Sequence, residues 1–307
     1  MNIEHLTSAA LAAVIFFTSC ESGTVEQEKS CPLLIAGRIY DYGQSDADRL
    51  SHSEHIGVFV FDSETDDALF SNLGYTATYG TKDDYFQPDN TGSIPHFAPD
   101  GDERWNVAAY FPYDETSDGH VKLSVADQTK ITGKTLLLYA CAKGVEKTGR
   151  TAYLRLSPAL SRIVFRFHAG EGVAADVVKG IASTLADIPA VGNFSVLTSH
   201  FTLAEDSGAA VDMLVADAPA DGALCETAAY VIPQADVKGY MAHITVPGEA
   251  EPRTLDIGRE VVNFDRGTEY VYEITVNRET LDVKVSSAPI AGWTEDGSLE
   301  LDDEQEM

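Results

Sequence analysis

The feature that most constrains this chain is the period of two in its apolar residues. The apolar runs are short and bounded by Gly, Pro, Asp and Asn, and a helical period of about 3.6 is almost absent. In the segment SRIVFRFH, Ile163, Phe165 and Phe167 fall on one side of an extended chain and the charged residues on the other. The pattern predicts half-buried β-strands rather than helices.

The same pattern predicts strands along most of the chain. His55–Asp62 is apolar on both faces, which is typical of a strand that is covered on both sides. Tyr270–Asn277 and Leu281–Val285 are separated by a short polar loop, which predicts a hairpin. The other predicted strands are Leu33–Ile39, Trp105–Tyr113, Val121–Val125, Thr135–Lys143, Ala152–Leu156, Ser161–His168, Ile181–Ile188, Phe194–Leu197, Phe201–Leu203, Thr227–Ile232, Tyr240–Val246 and Thr254–Ile257.

The number of strands predicts two sandwiches. About 14 strands are too many for one β-sandwich, and a chain of 307 residues exceeds one average domain. We therefore predict an all-β fold of two tandem antiparallel β-sandwich domains, at residues 32–156 and 157–294. An acidic tail follows at residues 295–307.

Two segments lack a clear strand pattern. Tyr79–Gly101 is rich in Asp, Asn, Pro and Gly, mostly in its second half, and predicts a long surface loop. Val173–Leu185 fits either an amphipathic helix or a short turn followed by a strand. Gly180 and the β-branched residues around it favour the second interpretation.

The N-terminus predicts export. Leu11–Phe17 is an apolar run of roughly half the length that a membrane-spanning helix needs, and it matches the apolar core of a signal peptide. The small residues before Cys20 resemble the lipobox of bacterial lipoproteins. We expect a signal peptide at residues 1–19, a lipidated Cys20 and a flexible tether at residues 20–31, although a plain secretory signal is an alternative.

Charge and chemistry exclude several classes of function. The chain has 49 acidic and 21 basic residues, so it repels nucleic acid and anionic lipid headgroups. No nucleotide-binding, hydrolase or zinc-protease motif occurs, and we predict neither an enzyme nor a cofactor. His52 and His55 form a poor metal pair, and the acidic segment Asp62–Asp67 fits a solvated hairpin loop better than a Ca²⁺ loop. We therefore predict no metal site.

The remaining candidate residues are cysteines and aromatic residues. Cys31, Cys141 and Cys225 are odd in number and widely spaced, which predicts no metal cluster and leaves their disulfide state open. Cys141 lies in the apolar run TLLLYACA, where we expect a buried free thiol. Tyr79, Tyr85 and Phe86 form either an exposed platform that stacks on a sugar or part of the core.

Four segments, taken in order and spacing, resemble the fimbrillin family of lipoproteins from Gram-negative anaerobes. They are the lipobox-like Phe17–Cys20, the strand region Arg49–Phe59, the pair Ala109–Tyr113 and Leu156–Ile163, and the ending Tyr270–Val276 that leads into Ile290–Trp293. The resemblance implies two transthyretin-like Greek-key sandwiches. It also implies a structural or accessory fimbrial subunit at the cell outer membrane, whose partners are other fimbrial subunits or itself.

The resemblance further implies a route of assembly. Polymerising members are cut after an Arg in the loop that follows the first strand, and the exposed groove then accepts a strand from the next subunit. Arg49 matches the cleaved Arg best and Arg38 second, while the alternative is that Arg49 is an ordinary loop cation. The tail at residues 295–307 is acidic and a poor donor strand, so we expect a tip, anchor or minor subunit. A free-standing surface lipoprotein is one alternative, and a glycan-binding lipoprotein of a polysaccharide uptake system is another.

Overall fold

The structure is a computed structural model that describes residues 31–39, 54–77, 85–132 and 135–290. Within these residues 54 % of the chain is β-strand and the regular secondary structure is almost entirely β, which confirms the predicted fold class. The strands before residue 160 are β1 (Cys31–Pro32), β2 (Leu34–Ile39), β3 (His55–Asp62), β4 (Ala68–Ala77), β5 (Phe86–Pro88), β6 (His96–Phe97), β7 (Arg104–Phe111), β8 (His120–Ser124), β9 (Leu138–Glu146) and β10 (Thr151–Pro158). Short 3-10 helices lie at Thr91–Ser93 and Gln128–Lys130.

The second half of the chain contains the remaining strands and a helix of one turn, α1 (Ala175–Lys179). The strands are β11 (Ser161–Ala169), β12 (Ala182–Pro189), β13 (Val191–Ser195), β14 (Phe201–Leu203), β15 (Gly208–Asp212), β16 (Leu214–Val215), β17 (Cys225–Val231), β18 (Met241–Thr245), β19 (Arg253–Asp256), β20 (Thr268–Val276) and β21 (Leu281–Pro289). No helix in the described ranges is long and apolar enough to cross a membrane.

In the N-terminal half the strands follow the order β2-β10-β9-β7-β3-β4-β5, and β1 pairs with β6. Strand β10 has two partners: Thr151–Leu156 run parallel to β2, and the next two residues pair with β9. Strand β3 is central and its residues are buried on both faces, because apolar side chains cover both sides of it. This burial explains why its sequence does not alternate.

In the C-terminal half a sheet of order β16-β17-β11-β20-β21 packs against a sheet of order β15-β12-β18-β19. The core between them contains Phe165, Phe167 and Tyr272, whose rings meet edge to face. Strand β11 runs parallel to β20, just as β2 runs parallel to β10. Each half therefore contains a parallel pair, in which its first long strand lies beside one of its last strands, within sheets that are otherwise antiparallel.

A further sheet, of three strands, joins the two halves. Strand β8 pairs with β13, which pairs with β14, so strands on both sides of residue 160 share one ladder. A separate apolar cluster places Phe194 and Val196 against Phe59 and Tyr139 on the outer face of the N-terminal sheet. The side chain of Gln128, which is 4 % exposed, binds both backbone groups of Tyr230 across the junction.

Two sequence predictions of this region were wrong. The predicted loop Tyr79–Gly101 contains β5 and β6, and the ring of Phe97 stacks on Trp105 in the core. These strands have two or three residues, too few to show a period. Cys141 is exposed, because the outer face of β9 is uncovered from this residue onward. Val173–Leu185 contains the one-turn helix α1 and then β12, in agreement with a turn followed by a strand.

Candidate functional site

The first strand of the N-terminal half occupies the edge of its sheet. Strand β2 runs parallel to β10, and β1 pairs with β6 through two residue pairs. Hydrogen bonds from Leu33 N to Pro95 O at 2.8 Å and from Leu34 N to Arg150 O at 2.9 Å hold the segment between these strands. Outside its row of bonds to β10, the described contacts of β2 with other strands include a single bridge from Ala36 to Tyr85.

Apolar side chains anchor the same segment. Cys31, Leu33, Ile35 and Ala36 are buried, and Leu33 and Ile35 belong to the main apolar cluster. Burial of a leucine or isoleucine side chain contributes about 1.5 to 3 kcal/mol each. Removal of this segment would therefore expose an apolar groove together with the unpaired backbone edge of Thr151–Leu156 on β10.

Strands β2 and β10 approach each other closely at Gly37. A β-carbon at this residue would lie 1.9 Å from the carbonyl oxygen of Leu154 on β10, which is far inside van der Waals contact. The two residues are partners in the parallel register. Any strand that occupies this groove in the same register therefore needs a glycine at this point, or β10 must move.

The two predicted processing sites lie in and after this strand. Arg38 belongs to β2, and its backbone is in register with Arg155, so it lies in a paired strand rather than in a loop. Because a paired strand is a poor protease substrate, this placement favours Arg49 over Arg38 as a processing site. Arg49 lies outside the described residues, as does the predicted lipidation site Cys20.

Of the three aromatic residues considered as a stacking platform, the structure places one in the core. Phe86 is 6 % exposed and belongs to the core cluster, because it lies in β5 opposite Ala77 and directs its ring inward. Of the two alternatives for Phe86, the structure supports a core residue and not a ligand-stacking residue. Tyr85 is half-buried and pairs with Ala36 of β2, and Tyr79 lies outside the described residues.

Histidine and carboxylate side chains form internal pairs instead of a metal site. His55 Nδ1 lies 2.8 Å from Asp89 Oδ2, and Thr76 donates to the other oxygen of the same carboxylate. His52, the other member of the predicted pair, lies outside the described residues. Across the described ranges, no group of three or more His, Cys, Asp and Glu residues is placed to hold a metal ion.

A polar network covers the outer face of the C-terminal sheet. Arg166 on β11 binds Glu226 on β17 at 3.0 Å and Glu273 on β20 at 3.3 Å, and His168 Nε2 lies 2.7 Å from Glu273. Burial lowers the pKa of Arg166, but the hydrogen bond and the charge of Glu226 outweigh burial, so the pKa is raised. The alternation in SRIVFRFH predicted this outer face, but the acidic partners come from distant strands. Because the charges satisfy one another, the network stabilises the sheet.

Two β-sandwich halves, an edge strand with buried apolar side chains and internally paired charges characterise the described part of the chain. A family model described as fimbrillin-like matches residues 45–293. The chain belongs to the fimbrillin-like family, which confirms the resemblance found in the sequence. This is a family of structural proteins of cell-surface appendages, and membership confirms that the chain is not an enzyme.

Solved structures share the fold at low sequence identity. A candidate cell adhesion protein from Bacteroides uniformis matches with a TM-score of 0.64 and 20 % identity, over 86 % of this chain and 99 % of that one. A second candidate cell adhesion protein, from Bacteroides ovatus, matches with a TM-score of 0.57 and 21 % identity, over 84 % of this chain and 96 % of that one. The tip fimbrial protein Mfa3 from Porphyromonas gingivalis, truncated at its C-terminus, matches with a TM-score of 0.53 and 11 % identity, over 85 % of this chain and 100 % of that one. No curated protein matches the chain.

Proposed function

We propose that this protein is a structural or accessory fimbrial subunit, in a tip, anchor or minor position, that acts in assembly and cell adhesion. It is exported as an outer-membrane lipoprotein through Cys20, and it joins other subunits by strand complementation. The observation that carries the proposal is the position of β1 and β2: an edge segment with buried apolar side chains and a single long neighbour.

The physical argument rests on what such a segment leaves behind. The backbone of β10 over Thr151–Leu156 would lose its partner, and the pockets of Leu33 and Ile35 would be open to water. An extended strand from another subunit restores both the hydrogen bonds and the apolar contacts. A cut after Arg49 frees this strand from the chain that continues into β3, while leaving its own contacts intact until a replacement arrives.

The experiment is limited cleavage of the purified protein with an Arg-specific protease. Mass spectrometry should show a cut after Arg49 that Arg49→Ala abolishes. Arg38→Ala and the exposed control Arg259→Ala should leave the cut unchanged. Clipped protein should then bind an added peptide with the sequence of residues 31–39 and, in its absence, form higher oligomers. Cleavage at neither Arg49 nor Arg38, or clipped protein that neither binds the peptide nor associates, contradicts the proposal.

A further inference from the structure

Among the described strands, the last one, β21, presents a second open sheet edge. Strand β21 pairs with β20 on one side, and no described strand lies on its other side. Asn277 N donates to Thr280 O at 3.0 Å at the hairpin, and antiparallel pairs alternate between bonded and non-bonded positions. The register therefore turns the backbone groups of Val285 and Ser287 away from β20, toward the open edge.

A groove of about 500 Å³ lies along this edge. One wall is the end of β21, from Val285 to Pro289, and the other is the loop at residues 260–265. Hydrogen bonds from Phe264 N to Gln234 O at 2.8 Å and from Val237 N to Val262 O at 3.0 Å fix this loop. The groove is therefore preformed and needs no rearrangement to accept a ligand.

The lining combines apolar side chains with carboxylates. Val262, which is 74 % exposed, and Pro289 both line the groove, and Glu260 and Asp265 supply negative charge. Asp265 Oδ2 lies 3.2 Å from the hydroxyl of Tyr270 and accepts its hydrogen bond, which holds that carboxylate in place. Tyr270 itself is buried, so its ring is not available to stack on a sugar.

These features select one class of ligand. An unpaired strand edge binds an extended peptide backbone, an exposed valine binds an apolar side chain, and paired carboxylates bind a cation. A second copy of this chain fits this groove poorly, because its net charge of −28 offers few cations to the two carboxylates. The geometry points to a partner protein that adds an extended segment to β21.

We propose that β21 and the loop at residues 260–265 bind an extended peptide segment that carries lysine or arginine between apolar residues. The peptide lies beside β21 as an additional strand. Its basic side chains face Glu260 and Asp265, and its apolar side chains contact Val262 and Pro289. This surface is separate from the groove of β1 and β2, so its occupation does not depend on removal of the first strand.

The first test measures binding of a short capped peptide of alternating Val and Lys residues by calorimetry. The full chain should bind it and should not bind the Val and Glu counterpart. The double variant Glu260→Gln, Asp265→Asn should lower the affinity about tenfold. The matched control Glu205→Gln, Asp206→Asn changes the net charge equally in an exposed turn and should leave the affinity unchanged. Equal loss in both double variants overturns the proposal, because binding would then follow net charge alone.

The second test addresses the sheet edge. Ser287→Pro removes an N–H that faces the open edge, outside the ladder to β20, so the fold should persist while peptide binding is lost. Ser287→Ala keeps the N–H and should bind as the unsubstituted chain does. Binding that survives Ser287→Pro in a folded protein contradicts the addition of a strand to β21.

Other ligands of the groove beside β21 would give different results in binding and association experiments. An affinity for the peptide that rises with Trp293→Ala would assign the groove to the chain's own last residues. Dimerisation that is lost with Glu260→Gln, Asp265→Asn would assign it to a second copy. Binding on a glycan array that the same double variant abolishes would assign it to a carbohydrate. Each of these results overturns the proposal.

Discussion

The two halves of the molecule hold their first long strands in opposite ways. Strand β11 lies inside its sheet, with β17 along one side and β20 along the other. Strand β2 lies at an edge and has β10 as its one long neighbour. Both are parallel to a late strand of their own half. The same topological element is therefore central in one half and peripheral in the other.

Buried tyrosines show the same contrast. The hydroxyl of Tyr272 in the C-terminal core donates to Ile257 O at 2.7 Å. The hydroxyl of Tyr75 in the N-terminal core has no hydrogen-bond partner among the described residues, and burial raises the pKa of Tyr75 to about 12. Of these two core tyrosines, the one in the C-terminal half therefore has its hydroxyl hydrogen-bonded and the one in the N-terminal half does not, within the described part of the chain.

The strongest test compares matched isoleucines in the two first strands. Ile163→Ala in β11 should lower the free energy of unfolding by about 4 kcal/mol, because a central strand cannot close the cavity. Ile35→Ala in β2 should lower it by about 2 kcal/mol, since an edge strand can shift inward. Urea unfolding measures both values. Equal losses would show that β2 is held as firmly as β11.

Ion pairs give the next comparison. Arg166→Met leaves Glu226 buried without its partner and should lower the free energy of unfolding by about 3 kcal/mol. Arg104→Met removes an exposed pair with Glu146 in the N-terminal half and should change it by less than about 0.5 kcal/mol. Thermal unfolding of both variants tests the difference. A large effect of Arg104→Met would break the contrast between the halves.

The two core tyrosines, one in each half, give a third comparison between the halves. Tyr272→Phe removes the donor to Ile257 O and should cost about 1 to 2 kcal/mol of unfolding free energy. Tyr75→Phe removes a hydroxyl that has no partner among the described residues and should be neutral or stabilising. Urea unfolding again provides the measurement, and destabilisation by Tyr75→Phe would show that its hydroxyl has a partner after all.

The smallest effect concerns pH. A hydrogen bond from Arg253 lowers the pKa of Glu249 below 4.5, and Arg253 also donates to Asn277 O and Arg278 O in the hairpin between β20 and β21. A lowered carboxyl pKa contributes stability above the unfolded value, which is lost as pH falls through the folded value. Below pH 4.5 the free energy of opening the hairpin should fall by less than about 1 kcal/mol. Hydrogen exchange of the hairpin amides should show this loss, and Glu249→Gln should abolish its pH dependence.

Much of the fold follows from local sequence pattern. The predicted bounds of β3 and β14 agree with the structure, and those of β11 differ by a single residue. The strands that the pattern misses include some without a period: β1, β5, β6 and β16 are too short, and β4 interrupts its alternation with Ser, Asn and Gly. Strand β15 (Gly208–Asp212) was also missed. Pairing between distant segments is also invisible locally, as the parallel pairs and the ladder of β8 with β13 show.

The candidate site was predictable in part. The apolar run at Leu33–Ile39, which includes Arg38, predicted a strand. Nothing in the local sequence indicated that this strand lies at the edge of its sheet with one long neighbour. That property depends on the order of strands in the sheet. The burial of Phe86 depends on its pairing with Ala77 of β4, which the local sequence does not reveal, so the sequence left an exposed and a buried ring as alternatives.

The ladder between β8 and β13 has a mechanical consequence. The chain passes from one half to the other through a short link at Ala159 and Leu160, which by itself would act as a pivot. Because main-chain bonds and a shared apolar cluster tie the halves at a second place, any swing between them must first break that ladder. We therefore expect the two halves to move together, with a pulling force between them shared by the β8–β13 ladder and the covalent link.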